Sequence, residues 1–251
     1  MHINKTIARM ILAAGLAGGA PIAQAAEITV MSTVAHKDAY IEMLPAFERA
    51  SGHKVVTQWV PTVEVLRRIK AGESVDLVLM AASGIEELTK AGKIEAGSGV
   101  PFVKSGIGIA VRAGASRPDV SSADAFRRSL LAAKSVAYST GPSGNYLAGL
   151  FERMGIAAEI KAKARIIQGE PVGDVVARGE AEIGFQQIPE ILPVKGIQYI
   201  GPLPPDIQYT TVFSAGIHTA ARQAEAARAL VKFLKAPDAG VIYKKHGLEP
   251  S

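Results

Sequence analysis

Apolar positions along the chain follow two periods in turn. Residues 27–31 and 54–60 read as strands, and residues 75–80 form an apolar run interrupted only by Asp76, the pattern of a strand buried on both faces. Residues 37–50 place Tyr40, Met43, Leu44 and Phe47 on one helical face, with Gly52 as a C-terminal stop. Thr62 is expected to cap a short helix carrying Val63, Leu66 and Ile69, and Ser83 with Glu86 to form a capping box for a helix ending at Gly92. Further strands are expected at 107–111, 135–138, 165–168, 183–185, 197–200 and 209–215. Further helices are expected from about Ser122, from the turn Ser139-Thr140-Gly141-Pro142-Ser143 to Gly155, at 171–178, at 219–234 and beyond Pro237. Alternation of this kind predicts an α/β protein with mainly parallel sheets covered on both faces. The segments 105–111 and 202–215 are strand-like and suit chain crossings between two lobes.

The N-terminal 25 residues read differently. Lys5 and Arg9, the apolar run from Met10 to Leu16 and the small residues of Ala23-Gln24-Ala25 make an export signal cleaved near Ala25, and place the mature chain in the periplasm. With no cysteine in the chain, a lipoprotein anchor, disulfides, thiolate chemistry and iron–sulfur clusters are excluded. Without Lys5 and Arg9 the formal charge falls from +5 to +3, a weak bias toward anionic partners. Dispersed Lys and Arg and only 6% aromatics show no nucleic-acid stripe.

Candidate chemistry gathers where strands run into helices. Ligands of α/β sheets collect at strand C-terminal ends, where helix N-termini present free N–H groups and a positive dipole end. Ser32 and Thr33, Thr62, Ser83, and Ser139, Thr140 and Ser143 all fall at such junctions. Each alone reads as a helix cap; their recurrence in both halves points to an oxyanion or carboxylate site.

Three stretches, Ile28-Thr29-Val30-Met31-Ser32, Leu66 to Gly72 running into Val75 to Leu79, and Glu180 to Phe185, resemble the molybdate-binding-protein branch of type II periplasmic binding proteins, over nearly the whole mature chain. The resemblance implies a monomeric two-lobed Venus-flytrap protein, each lobe a mixed, mainly parallel sheet flanked by helices, that hands a small anion to the permease of an ABC importer. It implies lobe I at 26–106 and 210–251 and lobe II at 107–209. It also places ligand contacts at Ala35, with Ser32, Thr33 and His36 in the same loop; at Thr62 or Val63; at backbone amides near Ser143-Gly144 and Val172; and at Gln187, where the family carries a tyrosine. Two serines and that tyrosine are not retained, which points away from molybdate toward an organic carboxylate or another oxyanion.

No metal ion or cofactor is expected, since none of His2, His36, His53, His218 and His246 has metal-ligand spacing. Gly106-Ile107-Gly108 lacks the third glycine of a dinucleotide fingerprint, and Gly141-Pro142-Ser143-Gly144-Asn145 lacks the last glycine of a nucleophile elbow. Some proteins resembling this branch are aconitate isomerases, which move a double bond in a tricarboxylate through a proton shuttle. This alternative stays open beside pure binding. His36 is its leading catalytic candidate, as a base, an anion donor or a plain helix-start residue; Glu64 and Glu170 are further bases, and Arg67 and Arg112 candidate carboxylate partners.

Overall fold

A computed structural model describes residues 25–251, so the expected export signal lies outside them apart from Ala25. In chain order, β1 (Glu27–Ser32), α1 (Lys37–Ser51), β2 (Lys54–Trp59), α2 (Thr62–Lys70), β3 (Leu77–Ala81), α3 (Ala82–Lys90) and β4 (Val100–Ser105) open the fold. There follow β5 (Ile107–Arg112), α4 (Ala123–Ala132), β6 (Val136–Ser139), α5 (Pro142–Arg153), α6 (Ala157–Lys161), β7 (Ala164–Ile167), α7 (Val172–Ala177), β8 (Ile183–Gln187), α8 (Ile188–Ile191) and β9 (Ile197–Pro202). The chain closes with β10 (Thr211–Ile217), α9 (Ala224–Leu234), α10 (Ala239–Lys245) and β11 (Glu249–Pro250).

Two sheets result, one per lobe. The first has strand order β11-β4-β10-β3-β1-β2, the second β7-β6-β8-β5-β9. The chain passes from first to second between Ser105 and Ile107 and returns between Pro202 and Thr211. The parallel pairing that the strand–helix alternation predicts holds for β2-β1-β3 and β7-β6-β8. Beside these, β10, β4, β5 and β9 pair antiparallel, because the chain enters each sheet again from the opposite end after crossing. Gln208 ties the two crossings together: its Oε1 accepts from the Ile107 N–H at 2.9 Å and its Nε2 donates to the Ile107 carbonyl at 3.0 Å.

Alternation along the strands builds a core on each face. Ile28, Val30, Leu77 and Leu79 point to one side of the first sheet, against Tyr40, Met43 and Phe47 of α1 and Leu230 of α9. Met31, Val78 and Met80 point to the other, against Val65 and Ile69 of α2 and Leu88 of α3. This two-sided burial is why residues 75–80 read as unbroken apolar sequence. In the second lobe Val136, Tyr138 and Phe185 pack with Phe126, Leu147 and Phe151 on one face, and Ala137 packs with Val172 and Val176 on the other.

Several local expectations change. Thr62 and Ser83 are helical residues rather than caps; the cap positions are Pro61 and Ala81, because β3 runs into α3 without an intervening loop. Ser122 does cap α4, its Oγ accepting from the Ala125 N–H at 3.1 Å. The helix expected from Thr219 begins only at Ala224, since the N–H groups of Arg222 and Gln223 are drawn to Asp76. Strand β4 and helices α6 and α8 had no counterpart in the sequence pattern.

Candidate functional site

The C-terminal ends of β1, β2, β6, β7 and β8 face one another across the gap between the lobes. They open on a cleft of about 410 Å³, within the usual range for a small-ligand site. From the first lobe it is lined by Thr33, Ala35, His36, Lys37, Trp59, Thr62 and Phe213; from the second by Ser139 to Ser143, Glu170, Gln187 and Glu190. Three helices, α1, α2 and α5, begin at this wall, and none has a side-chain cap on its first turn. The first N–H groups and positive dipole ends of α2 and α5 are thereby left for a ligand, whereas α1 continues the turn Val34–His36 and its Lys37 N–H is taken by the Val34 carbonyl. Helix α5 also lacks any acidic residue in its first turn.

Of the residues singled out in the sequence, Thr33, Ala35, His36, Thr62, Ser143, Gln187 and Glu170 line this cleft. Ser32, Val63, Gly144 and Val172 lie outside its lining. Ser32 is fully buried behind the wall, where its Oγ meets His36 Nε2 at 2.9 Å. The Val172 N–H, expected as an anion donor, is taken by Gln186 Oε1 at 2.8 Å. Gly144 packs its Cα side against the Ser139 carbonyl. Arg67 and Glu64 pair on the exposed face of α2 at 2.6 Å, away from the cleft, and Arg112 is exposed outside it. Glu170 is held by Arg178 at 3.0 Å.

His36 is 1% exposed and sits in an aromatic cage. Phe102, Phe213, Trp59 and Tyr40 present ring edges or faces at centroid distances of 5.0, 5.5, 6.2 and 6.5 Å. Burial in this apolar shell pushes its pKa down to about 3, so the imidazole is neutral at every physiological pH. Ser32 spends its single hydroxyl proton on the Thr33 carbonyl at 3.0 Å, which assigns Nε2 of His36 as the donor to Ser32 Oγ. Nδ1 then carries a lone pair, and it has no hydrogen-bond partner among the described residues. Thr33 Oγ1 and Gln187 Oε1 are likewise buried and unpartnered, so three cleft-lining residues hold polar atoms that the protein itself does not satisfy. Gln187 Nε2 is engaged with Thr211 Oγ1 at 2.8 Å, linking the end of β8 to the start of β10 across the lobes. Buried polar atoms without partners cost free energy, so a cluster of them at a cleft marks where a ligand's groups belong.

Sequence reasoning missed Glu190. It lies on α8 and lines the cleft. Gln186 Nε2 donates to its Oε1 at 2.7 Å. Burial raises its pKa to about 7, against smaller opposing effects of the Gln186 amide and the Gln187 backbone N–H. The one available signal was position: Gln187-Ile188-Pro189-Glu190 sets a carboxylate three residues past a strand end, with proline opening a helix. Trp59 and Phe213 were missed because their convergence on His36 is tertiary.

The chain is 40% identical over 229 residues to an aconitate isomerase from a Pseudomonas species, covering 89% of this chain and 87% of that protein. It is 27% identical over 252 residues to the molybdate-binding protein ModA of Azotobacter vinelandii, covering 96% of this chain and 97% of the relative. Its fold matches the sulfate-binding protein SubI from Mycobacterium tuberculosis with a TM-score of 0.71 at 20% identity, over 90% of this chain and 87% of that one. Residues 28–249 match the family described as bacterial extracellular solute-binding protein. The chain therefore belongs to the bacterial extracellular solute-binding protein family, in its two-lobed, molybdate-binding-protein-like branch.

Proposed function

We propose that this is an exported periplasmic binding protein that captures a small organic carboxylate between its lobes and delivers it to an ABC importer permease. One observation carries the reading. Two uncapped helix N-termini, of α2 and α5, and three unpartnered polar side chains converge on a single interlobe cleft. Helix starts supply an anion with donors and favourable potential without a dedicated cation. The two bare acceptors, His36 Nδ1 and Gln187 Oε1, suit a ligand that also bears hydrogen-bond donors. A fully deprotonated tetrahedral oxyanion has none to offer, so the balance favours hydroxy- or partly protonated carboxylates over molybdate.

The mature protein is expected to gain about 5–10 °C in thermal unfolding midpoint from its preferred ligand at roughly 100 times Kd. A panel of cis-aconitate, citrate, malate, molybdate and sulfate measures it. If no member moves the midpoint, the binding reading fails; if molybdate alone does, the carboxylate assignment fails.

A second reading is an isomerase acting on a tricarboxylate. It is supported by the 40% identity to an aconitate isomerase over 89% of the chain, together with a neutral imidazole whose lone pair is unpaired at the cleft. Incubating the protein with cis-aconitate and resolving the isomers by chromatography tests it. Catalytic conversion that is lost in His36→Phe supports it, and an unchanged substrate after many equivalents of time and enzyme removes it.

A further inference from the structure

The cleft's charge balance poses a problem for an anion. Its lining carries three carboxylates, Asp38, Glu170 and Glu190, against one fixed cation, Lys37. Lys37 is drawn over the Trp59 ring, its Nζ 5.7 Å from the centroid. Asp38 is exposed to solvent and Glu170 is paired with Arg178. Among the described residues, Glu190 is the carboxylate of the three that is not exposed and has no cationic partner.

We propose that Glu190 is a ligand-contacting residue of the cleft that meets the bound anion as a neutral carboxyl, so that capture takes up a proton. The inference rests on the assignment of this cleft as an anion site and adds a residue and a proton to it. Geometry orients the group. The Val172 N–H fixes Gln186 Oε1, which turns the Gln186 NH2 group toward Glu190. Glu190 Oε1 thus accepts from Gln186, the Gln187 backbone N–H lies beside the same carboxyl, and Oε2 is the oxygen assigned the proton of the neutral form. A neutral carboxyl then donates O–H to a ligand oxygen, whereas an ionised one sets two like charges side by side in a desolvated cleft.

Among the described residues, the elements packed on α8 bring no cation to its side. Helix α8 packs on β5, β8, α7 and the turn Val34–His36. Those elements bring Arg112 at the far end of β5, no titratable group from β8, Asp174 from α7, and the neutral His36 from the turn. The C-terminal segment reaches α8 through Gly247, which lies against Leu192 and Ile188, and brings His246, itself bonded to Glu42 at 2.7 Å. Burial accordingly leaves the Glu190 carboxyl about half ionised at pH 7 in the ligand-free protein, and a bound anion shifts it further toward the neutral form.

Isothermal titration of the mature protein with cis-aconitate, from about pH 6 to about pH 8.5 in two buffers of different ionisation enthalpy, reads the proton directly. The expected result is uptake that approaches one proton near pH 8, with Kd rising about fivefold between pH 7 and pH 8. Glu190→Gln keeps a neutral donor at the same place. It is expected to bind at pH 7 within about threefold of the parent and to lose both the uptake and the pH slope. Thermal unfolding of the ligand-free variant confirms that it is folded. Tight binding by the parent without proton uptake overturns this inference and leaves the anion site standing, as does a pH slope that persists in Glu190→Gln. Absence of binding by cis-aconitate and by every other anion of the panel overturns both.

Discussion

Replacing Gly144 with alanine is expected to destabilise the protein by about 3 kcal/mol or more and to abolish ligand capture. A Cβ at this position would lie 1.6 Å from the Ser139 carbonyl oxygen and 2.7 Å from the Ser139 carbonyl carbon. Both are backbone atoms, so no rotamer change relieves the clash. The Tyr138 ring, 3.3 Å away, blocks retreat on another side. The only relief is to lift the first turn of α5 off the end of β6, and that turn forms the second lobe's wall of the cleft. Gly149→Ala on the same helix is the control. Its Cβ meets nothing closer than the flexible end of Arg153, at 3.4 Å, and loss of a mid-helix glycine favours the helix by up to about 1 kcal/mol. Urea unfolding of the two variants should separate them clearly, and a Gly144→Ala protein with parental stability and affinity would contradict this account of how α5 is seated.

The same glycine shows what sequence can and cannot reveal about the site. Position Gly144 was legible as part of the α5 start, because a strand, a polar turn and a proline at the first helical position announce a strand-to-helix junction. Its role was not legible: an amide contact to ligand was expected, whereas the residue lies just behind the wall and allows helix and strand to approach closely. Ser32 and Val172 share this fate. Each belongs to a cleft-forming loop, but its polar group is consumed by a neighbour, His36 in one case and Gln186 in the other. Periodicity reveals which loops face the cleft, since that follows from local strand–helix order. Which side chain of a loop keeps a free polar atom depends on partners distant in sequence, and the spacing carries no trace of that. Strand direction was hidden for a related reason. The pattern of β4 is broken by Pro101, and the antiparallel pairing of β4, β5, β9 and β10 follows from where the chain crosses between lobes, a global property.

Asp76 carries the second large effect. It precedes β3, at the end of the sheet away from the cleft, and is 3% exposed. Its Oδ2 accepts from the Thr29 N–H at 2.8 Å and from the Thr29 hydroxyl at 2.7 Å. Its Oδ1 accepts from the N–H groups of Arg222 and Gln223, both at 2.8 Å. One carboxylate thus joins β1, β3 and the entry to α9, segments nearly the whole chain apart. Burial pushes its pKa up, but the bonds from Thr29, Gln223 and Arg222 outweigh burial and the net shift is downward. Asp76→Ala leaves three N–H groups and a hydroxyl without their acceptor, and is expected to cost about 3–5 kcal/mol. Asp76→Asn keeps the shape but turns an NH2 group toward at least one N–H donor, and is expected to cost about 2–4 kcal/mol. The pH dependence follows from the lowered native pKa. Asp76 contributes its full stabilisation above the unfolded value of about 3.9, and loses it as pH falls from there through the native value. Chemical denaturation between about pH 2.5 and about pH 7 should therefore show a steep acid limb in the parent that flattens in Asp76→Asn. Because the carboxylate lies at the opposite end of the sheet from the ligand, the folded fraction of either variant should bind with parental Kd. Loss of affinity out of proportion to loss of folded protein would mean that the two ends of the sheet are coupled, and that Asp76 does more than join three segments of backbone.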